Sequence, residues 1–290
     1  VRALVVGATG QVGSYLTEHL AAEGYEVFGT SRNPTVTFPG TLLPADLLDQ
    51  DSLERALRHS KPDEVYNLAA IKSPGGGWGT PQPPLLAEVT GVGAVHLLDA
   101  MVKVVPDAKL VHASSSAIYD PRRYGLYGIS KKFAHDAVVG YRGQLHCSNA
   151  VLFSPTSPRQ SSNFLARRIC SAITRIAGGS EERLVLGDVD SRRDWVYAPD
   201  CARAMKLIAR QDRPGDWVIA TGRARSVREL TETALRIVGL DWDDVVTIDP
   251  ALPRVPHEVF PAAAEARLAA ARGLGWKPET SFAEMVEAML

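Results

Sequence analysis

Cysteine is scarce in this chain: 290 residues hold three, Cys147, Cys170 and Cys201. An odd, scattered set without metal-ligand spacing excludes a disulfide framework and a structural zinc site. Net charge is nearly absent too, at −1, and no lysine or arginine tract occurs. That excludes a protein that wraps nucleic acid. Long apolar runs, internal repeats and low-complexity tracts are missing, so no bilayer-spanning segment is expected. The opening residues, VRALVVGATG, run straight into a strand and a glycine turn rather than through a secretory leader, and a cytoplasmic protein is the expectation.

What is present is rhythm. ALVVGA (3–8), YEVFGTS (25–31), EVYNLAA (64–70), KLVHASSS (109–116) and SNAVLF (148–153) read as buried strands. SYLTEHLAAEG (14–24), SLERALRHSKP (52–62), AEVTGVGAVHLLDAMVKV (87–104) and YGISKKFAHDAVVGYR (127–142) read as the helices between them. Such alternation implies right-handed βαβ crossovers and a doubly wound parallel sheet, an α/β fold of Rossmann type. Past residue 153 the rhythm breaks. A polar stretch (154–164) leads to a helix near 164–178, a strand near 183–187, the strand WVIATG (217–222) and a helix after Ser226. Two alanine-rich helical pieces split by GLGWKPETS form the tail. The expected organisation is a dinucleotide-binding domain over 1–153, with 188–222 interleaved, and a smaller substrate lobe from 154–187 and 223–290.

GATGQVG (7–13) places glycines at 7, 10 and 13 between a strand and a helix. Gly7 permits the tight turn, Gly10 lets backbone approach a pyrophosphate, and Gly13 lets helix and strand pack closely. The phosphates then meet the helix N-terminus. The second strand ends in Ser31-Arg32-Asn33, where an acidic residue would hold a ribose 2′-hydroxyl. Arg32 suits a 2′-phosphate instead, so NADP is the expected cofactor and NAD the alternative.

Tyr127 and Lys131 stand four residues apart on one helix face. An ammonium beside a phenol lowers its pKa and lets tyrosinate act as a base near neutral pH. With the glycine turn and the serine-rich strand end HASSSAIYD (112–120), the chain resembles the extended short-chain dehydrogenase/reductase family. The likeness is nearest to its GDP-mannose 4,6-dehydratase and GDP-6-deoxy-hexose reductase branch. GATGQVGSYL, PDEVYNLAA, LVLGDVDSRRDW, DWVIATGRARSVREL and LGWKPETSF all carry it. The resemblance implies a tightly bound NADP-type cofactor, a GDP-sugar substrate and a homodimer built on the helices at 87–104 and 127–142. It makes Ser115, Tyr127 and Lys131 the catalytic set. It assigns the cofactor to Gly7, Thr9, Gly10, Gln11, Val12, Gly13, Arg32, Asp46, Leu47, Leu68, Ala69 and Ala70, with Tyr127 and Lys131. The substrate falls to Ser116, Arg168, Arg193, Arg254 and Glu258, with Arg159 a further candidate for phosphate. Trp195 reads as core. No metal is implied.

One position departs. The dehydratases carry a glutamate two residues before the tyrosine that ends this strand; here that tyrosine is Tyr119 and the position holds Ala117. That glutamate removes the C5 proton once C4 is a ketone and helps expel water from C6. General acid–base help of this kind is worth about 10²–10⁴-fold in rate, and a methyl group supplies none. A 4-epimerase needs only hydride removal and return at one carbon, and that is the leading expectation. The alternatives are an NADPH-dependent GDP-4-keto-6-deoxy-sugar reductase, a 4,6-dehydratase with a relocated base, and a non-catalytic NADP-binding regulator. The short segment DPRRYGL (120–126), the loop KSPGGGWGTPQPP (72–84) with its lid-like triple glycine, and Ser154 in place of an asparagine all point to a re-cut sugar pocket.

Overall fold

The computed structural model describes residues 1–32, 37–71, 83–180, 182–252 and 273–290, with positions 258, 261 and 268. The strands are β1 (Arg2–Val6), β2 (Glu26–Ser31), β3 (Thr41–Pro44), β4 (Glu64–Asn67), β5 (Lys109–Ser115), β6 (Cys147–Leu152), β7 (Ser154–Thr156), β8 (Leu184–Leu186), β9 (Arg192–Arg193), β10 (Trp195–Tyr197), β11 (Asp216–Ile219), β12 (Arg225–Ser226) and β13 (Val246–Ile248). Seven of them form one sheet in the order β11-β6-β5-β4-β1-β2-β3, with every pairing parallel. The doubly wound expectation is met. β6 is buried along its whole length, because helices cover both faces of a parallel sheet. β3 joins the sheet edge without having been foreseen. TLLP has neither alternation nor β-branched enrichment beyond Thr41, and its partner β2 supplies the order.

The helices are α1 (Gln11–Ala22), α2 (Gln50–Ser60), α3 (Pro83–Ala87), α4 (Gly93–Val104), α5 (Gly125–Gly140), α6 (Leu165–Ala177), α7 (Ala198–Ala209), α8 (Val227–Val238) and α9 (Trp242–Val245). A turn of π-helix, Glu88–Val92, joins α3 to α4. The combined run Pro83–Val104 is 22 residues long and apolar enough to cross a membrane by length and composition, contrary to the sequence expectation. Half of its most apolar window is buried within the fold, where α4 packs against α2 and α5. Core packing accounts for that composition.

Beyond β6 the chain builds short two-stranded sheets, β7 with β10, β9 with β12 and β8 with β13. α6 turns Ala166, Ile169, Cys170 and Ile173 inward at helical spacing onto a second core shared with α8 and the closing helix Phe282–Met289. Trp195 lies in that core, as expected. Trp276 belongs to the first core, with β1, β6 and α7. Its Nε1–H donates to the Asp200 carbonyl at 3.0 Å, and the Asp200 carboxylate accepts the backbone N–H groups of Glu279 and Thr280 at 3.2 Å. The three cysteines are buried and free.

Candidate active site

The strand order reverses between β1 and β4, and ligands of open α/β sheets bind at such a switch point. Here a cleft of about 270 Å³ opens over the carboxyl ends of β1, β4, β5 and β6. Gly7, Gly10, Gln11, Val12 and Gly13 form one wall, Leu68 and Ala70 the next, and Ser115, Tyr127 and Lys131 the far end. Ala113, Ser114, Phe153, Pro155, Gln160 and Phe164 also line it and were not foreseen. All but the last two sit on or just past the β5 and β6 strand ends, so strand adjacency is the signal that would have found them.

The glycine turn leaves no room for side chains. Gly7 has φ +83°, and a Cβ there would meet the Ala69 backbone nitrogen at 2.8 Å. A Cβ on Gly13 would come within 2.3 Å of the Gly7 carbonyl oxygen. α1 begins at Gly10 without a side-chain cap, so its first turn offers backbone N–H groups and the positive end of the helix dipole to an anion. These residues fit a dinucleotide pyrophosphate. Arg32 is exposed at the end of β2. Asp46 accepts the Leu48 N–H at 2.9 Å, and Leu47 is a core side chain, 4% exposed. Thr9 is exposed; like Ala69, it stands beside the cleft rather than along its wall.

At the far end Ser115 caps the turn Ser116–Tyr119, its Oγ accepting the Ala117 N–H at 3.2 Å. Lys131 is buried and donates from Nζ to the Ala113 carbonyl at 2.8 Å. The phenol of Tyr127 is 7% exposed. Burial pushes it up to about 12, the Ser115 hydroxyl pulling it back and the Glu258 charge adding to the rise. The direction is opposite to the lowering expected from Lys131, because desolvation outweighs the Ser115 hydrogen bond. Ala117 is 2% exposed in a small apolar cluster with Leu86 and Tyr127.

Glu258 reaches the same end of the cleft from the C-terminal part of the chain. Its carboxylate accepts from Ser116 Oγ at 2.5 Å, from Ser154 Oγ at 3.2 Å and from the Asp194 N–H at 2.9 Å. Burial raises its pKa against these hydrogen bonds and against the Arg193 charge. Arg193 on β9 therefore faces this cluster while donating Nη1–H to the Arg192 carbonyl. Arg168 is exposed on α6, apart from the cleft wall. Arg159 lies before α6, paired with Glu18 at 2.8 Å and stacked 4.0 Å over the Tyr15 ring. Arg254 and most of the loop 72–84 lie outside the described residues.

Comparison with known proteins accords with this geometry. Residues 4–289 match the family model described as GDP-mannose 4,6 dehydratase. GDP-mannose 4,6 dehydratase 1 of Arabidopsis thaliana is 37% identical over 99% of this chain and 88% of its own length. The human GDP-mannose 4,6 dehydratase is 33% identical over 99% of this chain and 90% of its own. Among solved structures, a Thermus thermophilus UDP-glucose 4-epimerase in complex with NAD superposes with a TM-score of 0.81 at 25% identity, covering 100% of this chain and 97% of that one. The chain belongs to the GDP-mannose 4,6-dehydratase family of the NAD-dependent epimerase/dehydratase short-chain dehydrogenases/reductases.

Proposed function

We propose that this enzyme binds a nicotinamide dinucleotide in the cleft and inverts C4 of a GDP-linked hexose or heptose by transient oxidation and hydride return. Ala117 carries the reading: the strand end beside Ser115 and Tyr127 presents a buried methyl group where elimination needs a proton acceptor. When bound, the nicotinamide supplies the hydride acceptor and donor. Tyr127 takes the C4 hydroxyl proton and gives it back, with Ser115 holding the same oxygen. The Lys131 ammonium favours the phenolate once a ligand closes the cleft. Arg193, Arg254 and Glu258 hold the nucleotide, guanidinium forks suiting a diphosphate. Arg32 favours NADP over NAD. Ile129 and Phe133, about half exposed one turn apart on α5, support a homodimer through α4 and α5, in a cytoplasmic enzyme.

Glu258 favours a second reading, a 4,6-dehydratase with a relocated base. Its carboxylate is held by Ser116, next to Ala117, its charge is felt at Tyr127, and the two relatives above are named as dehydratases. One incubation separates these. Purified protein is given GDP-mannose and related GDP-sugars without added cofactor, and the products are read by mass spectrometry and NMR. An isomer of unchanged mass inverted at C4 is expected. Loss of water replaces the epimerase with the Glu258 reading, and turnover only of a 4-keto sugar with NADPH makes the enzyme a reductase.

A further inference from the structure

Four polar side chains cross the sheet in one row, three of them buried and the fourth, Asp216, partly buried at the sheet edge. In strand register Asn67 on β4 faces His112 on β5, His112 faces Asn149 on β6, and Asn149 faces Asp216 on β11. Register partners in a parallel sheet project to the same face. Here that is the face under α5, the helix that carries Tyr127 and Lys131. Asn67, His112 and Asn149 are at most 2% exposed. α5 adds His135, 5% exposed, whose Nδ1 lies 2.9 Å from Ser114 Oγ. Its Nε2 lies 3.8 Å from Asp216 Oδ2, a gap that one small side-chain rotation closes to hydrogen-bond distance. Asp216 then meets Arg142 at 2.6 Å, and the Arg142 side chain is 23% exposed at the edge of the sheet.

Folding has little use for such a row. Burying polar groups costs free energy unless every one is paired, and His112 Nε2 and Asn149 Oδ1 have no partner among the described residues. Ser114 closes the argument, because it lines the cofactor cleft while its hydroxyl engages His135. We propose that Ser114, His135 and Asp216 form a buried proton relay linking the cofactor cleft to solvent at the sheet edge, beneath the catalytic helix. The relay deepens the proposed C4 oxidation and rests on it.

The proton count balances without any redox change in the relay. The C4 hydroxyl proton, taken by Tyr127 and passed across the cleft to Ser114 Oγ, displaces the Ser114 hydroxyl proton onto His135 Nδ1. The imidazole, initially protonated on Nε2, releases that proton to the Asp216 carboxylate, which passes it to water. The reverse order restores the starting tautomer. The charged and titratable groups that face His135 are His112 on β5 and Asp216 on β11, with Arg142 bonded to Asp216. Burial, and then the Lys131 charge, hold His112 well below its ordinary value. Burial pushes the Asp216 carboxyl up, but hydrogen bonds from Arg142 and Asn149, with the His135 and Arg142 charges beside it, carry it below its usual range, so a proton it receives passes on readily to water.

Two readouts test this. In stopped flow, holoenzyme is mixed with GDP-mannose in weak buffer, following nicotinamide reduction by absorbance and proton release by an indicator dye. Wild type should release protons as fast as it reduces nicotinamide. His135→Gln and the milder Ser114→Ala should slow release at least tenfold relative to reduction, and added imidazole should restore it in His135→Ala. Equal ratios in wild type and both variants overturn the relay and leave the C4 reading intact. A wild type that shows no nicotinamide reduction overturns both. Imidazole ¹⁵N NMR at the assay pH should find the resting His135 ring singly protonated, with its proton on Nε2. A doubly protonated ring at that pH overturns the relay.

Discussion

Ala117→Glu tests the functional reading at the atom on which it turns. The native methyl group is 2% exposed and packs with Leu86 and Tyr127. A longer side chain must push into that cluster or swing toward the cleft. Overpacking of this kind costs about 1–3 kcal/mol, so a melting temperature about 2–10 °C lower is expected. Apolar surroundings will also raise the new carboxyl's pKa, which suits a group that must both take and give a proton. Against this cost stands a gain in water elimination of about 10²–10⁴-fold over wild type, the usual worth of a positioned acid–base group. The assay is run in D₂O with GDP-mannose. Mass spectrometry reads loss of water, and NMR reads deuterium entering C5, which reports proton removal even when elimination stalls. Wild type should exchange nothing at C5. Deuterium there in wild type would refute the reasoning, since a base other than residue 117 would be at work, Glu258 first among them. A folded Ala117→Glu protein that still oxidises C4 yet never exchanges C5 would equally refute the claim that position 117 reaches that proton.

Three other outcomes are expected. Gly13→Ala drives a Cβ to 2.3 Å from the Gly7 carbonyl, where backbone cannot yield; calorimetry should find nicotinamide binding weakened about tenfold or more. Gly143→Ala, with nothing within 4 Å, should bind as wild type does. In cofactor-free protein the phenol of Tyr127, at about 12, stays protonated below that pH. Spectrophotometric titration against Tyr127→Phe should therefore place its ionisation above that of ordinary tyrosines near 10, and a difference signal near pH 7 would contradict the burial argument. Phe133→Glu puts charge on an exposed apolar stretch of α5; light scattering should find monomer in place of dimer, and an unchanged mass would remove these helices from the interface.

The parts that sequence predicts well here are those governed by local physics. The glycine turn is legible because φ +83° at Gly7 and the contact at Gly13 admit almost nothing else. The sheet is legible because buried parallel strands are continuous apolar runs. The helix after Ser226 announces itself through a capping box with Glu229. What stays hidden depends on how distant strands align. Asn67, His112, Asn149 and Asp216 look like unrelated polar residues until four strands set their register. Glu258 follows from family resemblance, but its attachment to Ser116, Ser154 and Asp194 needs the tertiary fold. Tyr127 is the sharpest case. Its spacing from Lys131 suggests a lowered pKa, and only the depth of burial reverses the sign.

Trp276 has a bearing on how the polypeptide matures at the ribosome. The core that holds β1 and α1 also holds β11 and this indole, although the tryptophan is encoded near the opposite end of the described chain. While the first two-thirds have emerged, that core lacks an outer strand and a large filler. Exposed sheet edges of this sort invite wrong pairings. This core should therefore gain resistance to proteolysis only when the stretch from Trp276 to Thr280 leaves the exit tunnel and latches onto Asp200. The residues that complete this core are made long after the strand that opens it.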